Sequence, residues 1–170
     1  RLILRPLNPN DAKVVQKYAG DKDIAKMTLN IPHPYEDGMA EEWISTHEED
    51  FKKNKSLTLA ITHKKERYLI GAIGLRLNIK FEHAELGYWI GKKYWNNGYC
   101  TEAAKGLIKH GFTEFNLNRI YASHLKKNPA SGKVMEKAGM KYEGLFREHV
   151  KKWNEFEDLV YYGILKKDII

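Results

Sequence analysis

Glu85, the run Trp95-Asn-Asn-Gly-Tyr-Cys-Thr101 and the segment Asn128-Pro-Ala-Ser131 are the parts of this chain whose residue types and spacing suit chemistry. The glycine-containing run follows a β-rich segment, Glu85-Leu-Gly-Tyr-Trp-Ile90, and opens a helix. A strand, a tight loop and a helix start, in that order, aim unpaired backbone N–H groups at one point, and the positive end of the helix dipole adds to them. The expected product is an anion site suited to phosphate. Its donors are the N–H groups of Asn97, Gly98, Tyr99, Cys100 and Thr101, with Gly98 free to take the φ > 0 that such a nest needs. Thr101 or Cys100 is expected near the helix cap, and Glu102 in the first turn. Ser131 falls in the first turn of a later short helix, where a hydroxyl often caps.

The elements that must position these groups are legible in the hydrophobic pattern. Residues 1–7 read as a strand. Asn8-Pro9-Asn10-Asp11 then opens a helix whose buried face is Ala12, Val15, Tyr18 and Ala19, ended by Gly20. Asp23–Met27 reads as a short helix and the proline-bearing Thr28–Tyr35 as a loop. Residues 37–53 predict one amphipathic helix, with Ala40, Trp43, Ile44, His47 and Phe51 on its stripe and a solvated acidic face opposite. Leu57–Thr62 and Tyr68–Ile79 predict a hairpin, with Gly71 and Gly74 marking a bend or bulge. Ala84–Ile90 and Arg119–Leu125 are strands separated by a helix near 100–115. That helix carries the stripe Ala104, Leu107, Ile108, Gly111, Phe112 and Phe115. With a helix between them, the two strands should run parallel. A short helix at 130–138 and two long strands, Lys141–Lys151 and Phe156–Leu165, complete the chain.

These segments, in this order, resemble the GNAT acyltransferase superfamily, specifically its RimJ/RimL-like N-acetyltransferase branch. The resemblance rests on Arg1-Leu-Ile-Leu-Arg-Pro-Leu7, Glu85–Ile90, Trp95–Ala103, Asn128-Pro-Ala-Ser131 with Lys137-Ala-Gly-Met140, and Asp158–Leu165. It implies a three-layer α+β fold in one domain spanning residues 1–170. A central mixed, mostly antiparallel sheet of about seven strands, two of them parallel and splayed, would be flanked by about four helices. It also implies transfer of an acetyl group from acetyl-CoA to a primary amine, with a protein N-terminal amine leading and a polyamine, an aminoglycoside or another small amine as alternatives. The cofactor's pyrophosphate would sit on the Asn97–Thr101 donors. Its pantetheine arm would lie along Gly87–Ile90, and a bulge there would aim the N–H of Tyr88 or Trp89 at the thioester oxygen. Tyr88, Trp89 and Ile90 thus join the cofactor set, and Asn128 would bond the arm through its amide.

Within that resemblance Glu85 is the candidate base. Partial burial in the cleft would raise its pKa toward neutrality, and the rival reading is an exposed carboxylate paired with a lysine. The tyrosine that many members use to protonate the departing thiolate is replaced by Met135, so Ser131 is the candidate acid, with a helix cap as its rival. The cofactor loop also departs from the usual pattern, with Trp95 in the place of Gln or Arg and Cys100 in the place of Gly or Ala. Tyr35, Trp43, Trp89 and Trp153 are expected to line an acceptor cleft bounded by Met27–Tyr35, the following helix and the final hairpin.

Composition narrows the classes. The chain has 170 residues, one cysteine and a net charge of +7. One domain with a full core is expected. No internal disulfide can form, which points to a reducing, cytoplasmic setting. No apolar run reaches the roughly 20 residues of a membrane span. The chain begins at Arg1 rather than methionine, so a few residues are expected ahead of it, and what is present holds no signal peptide. The lysines fall in scattered pairs rather than the long run of a nucleic-acid arm, so no nucleic-acid partner is expected. The seven histidines lack ligand spacing, and no metal is expected. A homodimer is left open. A CoA-binding regulatory domain without turnover is a further alternative.

Overall fold

In the computed structural model, which describes residues 1–169, the β-rich runs become seven strands. They are β1 (Leu2–Pro6), β2 (Ser56–His63), β3 (Leu69–Asn78), β4 (His83–Ile90), β5 (Arg119–Leu125), β6 (Lys141–Lys152) and β7 (Glu155–Leu165). The helices are α1 (Ala12–Ala19), α2 (Lys22–Met27), α3 (Met39–Ser45), α4 (His47–Lys52), α5 (Tyr99–Glu114) and α6 (Pro129–Lys137). One sheet holds all seven strands in the order β1-β2-β3-β4-β5-β7-β6. Every neighbouring pair is antiparallel except β4 and β5, which the α5 crossover makes parallel.

Strand alternation sorts side chains into two cores. Ile61 and Ile70 lie in the core that α5 and α6 cover, with Leu86, Leu107, Ile108, Ile120 and Met135. Their neighbours Ala60 and Leu69 lie in the core under α1 and α3, with Val15, Ala40 and Ile44. Helices on both faces of the sheet make three layers.

Two expectations are corrected here. The helix over 37–53 is broken at Thr46, where α3 ends and α4 begins. The hydroxyls of Ser45 and Thr46 donate back to the carbonyls of Glu42 and Trp43, which competes with helix continuation. That break leaves six helices among the described residues, and Phe51 ends up exposed rather than on a buried stripe. Gly74 marks no bulge, but Gly71 does: the register slips where Ile61 pairs with Gly71 and Thr62 with Leu69. Gly71 is needed for close approach, because a Cβ there would stand 2.3 Å from the Trp89 carbonyl oxygen.

The chain entry forms as the sequence implies, except that Pro9–Asp11 is a 3-10 turn and the α-helix begins at Ala12. The Asn8 side chain accepts from the Asn10 N–H, while Asp11 accepts from the Asn8 N–H. Arg5 then grips Asp11 with both terminal guanidinium nitrogens, each at 2.8 Å, which ties β1 to the start of α1. Burial alone would raise the Asp11 carboxyl, but the bonds from Arg5 and Asn8 outweigh it and hold the carboxyl below its ordinary value. A carboxyl held low in the fold stabilises fully above its unfolded value of about 3.8, and that contribution is lost as pH falls through the lower folded value. Asp11→Asn should therefore cost about 1–3 kcal/mol at neutral pH. It should also flatten the acid-side fall in stability, both read from urea titrations at neutral and acid pH.

Candidate active site

β4 and β5 pair over only three positions: His83 with Arg119, Ala84 with Ile120 and Glu85 with Tyr121. Beyond these the strands part. β4 continues to Ile90 along β3, and β5 continues to Leu125 along β7. The inner edges of Leu86–Ile90 and Ala122–Leu125 thus face each other across a V with no ladder between them. The Gly91 N–H donates to Ile70 O, on the β3 side. By alternation, the N–H and C=O groups of Tyr88 and Ile90 point the other way, into the V.

The bulge expected in this strand is not there. The β3–β4 register runs unbroken from Gly71 against Ile90 to Asn78 against His83. Inward donors come from the parting of β4 and β5 instead, and they belong to Tyr88 and Ile90 rather than Trp89. Trp95 lacks the polar side chain usual at its position and has a different role, donating its indole N–H to Ile90 O at 3.0 Å.

β4 leads through a short turn into the loop at 95–98. The Asn97 amide donates to the carbonyls of Tyr94 and Trp95, and Asn96 and Gly98 both have positive φ, 62° and 75°. Gly98, not Cys100 or Thr101, is the N-cap of α5, and it has no side chain with which to cap. The first intrahelical bond runs from Glu102 N to Gly98 O. Among the described residues, the N–H groups of Gly98, Tyr99, Cys100 and Thr101 therefore have no hydrogen-bond acceptor. These are the orphan donors of a helix start, clustered beside the mouth of the V. The Arg1 guanidinium braces them, bonding Asn97 O at 3.1 Å and Glu102 at 2.8 Å and lying 4.7 Å from the Tyr99 ring centre. Cys100 packs inward, and burial pushes its thiol up to about 12. A thiol that stays protonated is a poor nucleophile, which disfavours an acyl-enzyme route through Cys100.

Across the V, Asn128 is the N-cap of α6. Its Oδ1 accepts from the Ser131 N–H, and its amide donates to Met27 O at 3.0 Å. The amide expected to reach a cofactor is thus bonded to the end of α2. Ser131 is not the cap. Its hydroxyl lies 2.8 Å from the phenol oxygen of Tyr88, a side chain on the α6 face of β4. Met135 is wholly buried in the core.

Glu85 lies on the opposite face of the sheet from Ala84 and Leu86. It is in an ion pair with Arg76, its cross-strand partner on β3, rather than in the desolvated pocket the sequence implied. Arg76 is mostly exposed, and Tyr121 and Tyr161 flank the pair. Of the expected acceptor residues, Tyr35, Trp43 and Trp89 pack against the α1/α3 core, and Trp153 is exposed at the tip of the β6–β7 hairpin, 6.2 Å from His33. The loop after α2 and that hairpin do meet. Lys152, buried, donates to the carbonyls of Leu29 and Ile31, and burial holds its ammonium below the ordinary value.

Four contributors escaped the sequence reading: the Tyr88 phenol, the Trp95 indole, Arg76 and Lys152. Alternation with Leu86 already placed Tyr88 on the helix-covered face, a signal for its side chain. Arg76 and Lys152 depend on register and on a loop contact across more than a hundred residues, and a local pattern carries no trace of either.

Residues 1–141 match the family model described as an acetyltransferase (GNAT) domain. The chain is 32% identical over 168 residues to an uncharacterised N-acetyltransferase of Bacillus subtilis, YnaD, covering 99% of this chain and 95% of that protein. Two solved structures share the fold at lower identity. One is a spermidine N-acetyltransferase from Vibrio cholerae with CoA and spermine (TM-score 0.84, 21% identity, 98% and 96% of the two chains). The other is the ribosomal L7/L12 α-N-protein acetyltransferase RimL with CoA (TM-score 0.88, 12% identity, 96% and 93%).

Because Asn128 both caps α6 and holds Met27, Asn128→Ala should cost about 1–2 kcal/mol. It should also speed proteolytic cleavage in the 28–38 loop. Chemical denaturation and limited proteolysis measure the two effects separately.

Proposed function

The chain belongs to the GNAT acetyltransferase family and is an N-acetyltransferase, and from that premise we propose that it carries the acetyl group of acetyl-CoA directly to the N-terminal amine of a protein. The observation that carries the cofactor reading is the V between β4 and β5, which opens beside the unpaired donors of Gly98–Thr101. An extended amide-bearing arm fits the free edge of β4 as an added strand would. A diphosphate fits the start of α5. The Tyr88 N–H, aimed into the V, suits the thioester oxygen, where negative charge grows in the transition state.

Glu85 is the proposed base. It stands where the parallel pairing ends, on the face away from α5 and α6, so an amine entering from that face meets it beside the parting strands. Arg76 is exposed enough to give way to the arriving amine. Ser131, on the far side of the V, is the proposed partner of the departing sulfur.

The protein acceptor is supported by charge. Four carboxylates on β4, β6 and β7 already have cationic partners: Glu85 with Arg76, Glu143 with Arg119, Glu157 with Lys127 and Asp158 with Lys126. A polyamine carries several charges that need unpaired carboxylates, and a chain of net charge +7 repels it. A peptide N-terminus brings one amine with backbone and apolar side chains. The exposed aromatic Phe146, packed on Tyr161 at 4.7 Å between ring centres, suits that acceptor. Incubating the protein and acetyl-CoA with peptides bearing free N-termini, and separately with spermidine, tests the reading. Faster acetylation of spermidine than of every peptide would overturn the acceptor class.

Two variants test the site. CoA should raise the melting temperature of the wild type by mass action. Gly98→Val should abolish that shift, because the left-handed backbone there costs a β-branched residue about 1–2 kcal/mol and relief of it turns the donors away. Glu85→Gln should lower turnover by roughly 10²–10⁴-fold while leaving CoA affinity nearly unchanged. The defect should shrink at high pH as free amine accumulates, and a pH–rate profile of both proteins decides it.

A further inference from the structure

Tyr88 joins the two arms of the V on its α6 side. The phenol oxygen lies 2.8 Å from Ser131 Oγ and 3.0 Å from Ser131 O. Among the described residues, the phenol is the one hydrogen-bond partner of Ser131 Oγ. The serine N–H is already held by Asn128 Oδ1, which sets the rotation of the first turn of α6. Burial drives the phenol's pKa far up, against the pull of its bond to Ser131, so the phenol is a neutral donor at any ordinary pH. It has one proton and two acceptors within reach. The Ser131 carbonyl also accepts the helical N–H of residue 135. The hydroxyl oxygen, the nearer of the two, has no other donor.

We propose that Tyr88 is a positioning residue for acetyl transfer: as the sulfur departs, its phenol turns its proton from the Ser131 carbonyl to Ser131 Oγ, which frees the serine proton for the sulfur. The inference rests on the acetyl-CoA reading above. In the transfer step the amine nitrogen bonds the acetyl carbon, the carbon–sulfur bond breaks and its electron pair goes to sulfur. The proton lost by the amine leaves through Glu85. Ser131 keeps its own proton and hydrogen-bonds the thiolate, which takes its proton from solvent on release, and Tyr88 keeps its proton throughout. This arrangement gives the sulfur a donor although position 135 is a buried methionine. Before transfer both bonds form at once, the phenol donating to the Ser131 carbonyl and the serine to the phenol; the switch gives up the carbonyl bond, and that oxygen keeps the helical N–H of residue 135.

The test compares wild type, Tyr88→Phe, Ser131→Ala and the double variant. Single-turnover rates with acetyl-CoA are measured, together with the pH titration of bound CoA followed by the ultraviolet absorbance of its thiolate. Tyr88→Phe and Ser131→Ala should each slow transfer by about 10-fold, and the double variant should be no slower than Ser131→Ala alone. Bound CoA should titrate about one pH unit higher in each variant than in the wild type, as the loss of one hydrogen bond to an anion implies. A purely structural role would lower the melting temperature and leave the thiol titration unmoved. Unchanged titration in Tyr88→Phe, an unchanged or faster rate, or losses that multiply in the double variant would each overturn the proposal while leaving the acetyl-CoA reading intact. Failure of wild-type protein to bind CoA would overturn both.

Discussion

The parting of β4 and β5 after Glu85 and Tyr121 is the constraint around which this molecule is arranged. A parallel pair that stops early leaves inward backbone groups without partners, and each unsatisfied group out of water costs about 1–3 kcal/mol. The Trp95 indole meets part of that cost by covering the Ile90 carbonyl, and the Tyr88 phenol spans the opening to Ser131 on α6. What is left in the V is a short inner edge with the Tyr88 N–H at its centre, open to an extended amide chain. The outer elements hold the two arms in place: β3 along the whole of β4, and β7 along the whole of β5.

The same logic appears at the start of α5. A helix usually satisfies its first N–H groups with a capping side chain. Here the cap position is a glycine with φ of 75°, and the donors of Gly98–Thr101 stay free. The loop around them is well held nonetheless. The Asn97 amide ties the preceding carbonyls, Arg1 bridges Asn97 and Glu102, and Tyr18 of α1 packs edge-on against Tyr94 at 5.8 Å. A rigid loop with unsatisfied donors binds an anion without first having to order itself, which is the physical content of preorganisation. Asn128 and Lys152 give the end of α2 and the segment after it a comparable frame, because both reach it from elements more than a hundred residues away.

The four elements that carry the site were legible as a local pattern. The six-position stripe of α5, the glycine before it, the Asn-Pro entry to α6 and the alternation of β4 all follow from backbone geometry that neighbouring residues set. Alternation along β4 also puts Glu85 and Tyr88 on opposite faces of one strand. The readings that failed depend on what lies across the sheet or on competing local bonds. The helix over 37–53 broke because two adjacent hydroxyls found backbone carbonyls, a balance of bonds that periodicity does not weigh. A bulge in β4 proved unnecessary, because donors face inward wherever a pair of strands ends.

By itself, then, the sequence determined the order of elements, the parallel crossover through α5, the glycine turn with free donors at the start of that helix and the absence of a proton donor at position 135. These rest on interactions within a few residues, or on a chirality rule that any chain obeys. Only the tertiary structure decided which partner each polar group takes. Glu85 faces Arg76 because β3 and β4 run in a register in which 76 meets 85. Asn128 holds Met27, and Ser131 meets Tyr88 rather than capping its helix, because α2 and β4 are brought against the start of α6 from distant parts of the chain. Hydrogen bonds of that kind depend on ångström-scale distances between elements, and those distances are set by packing in two cores that no local stretch of sequence contains.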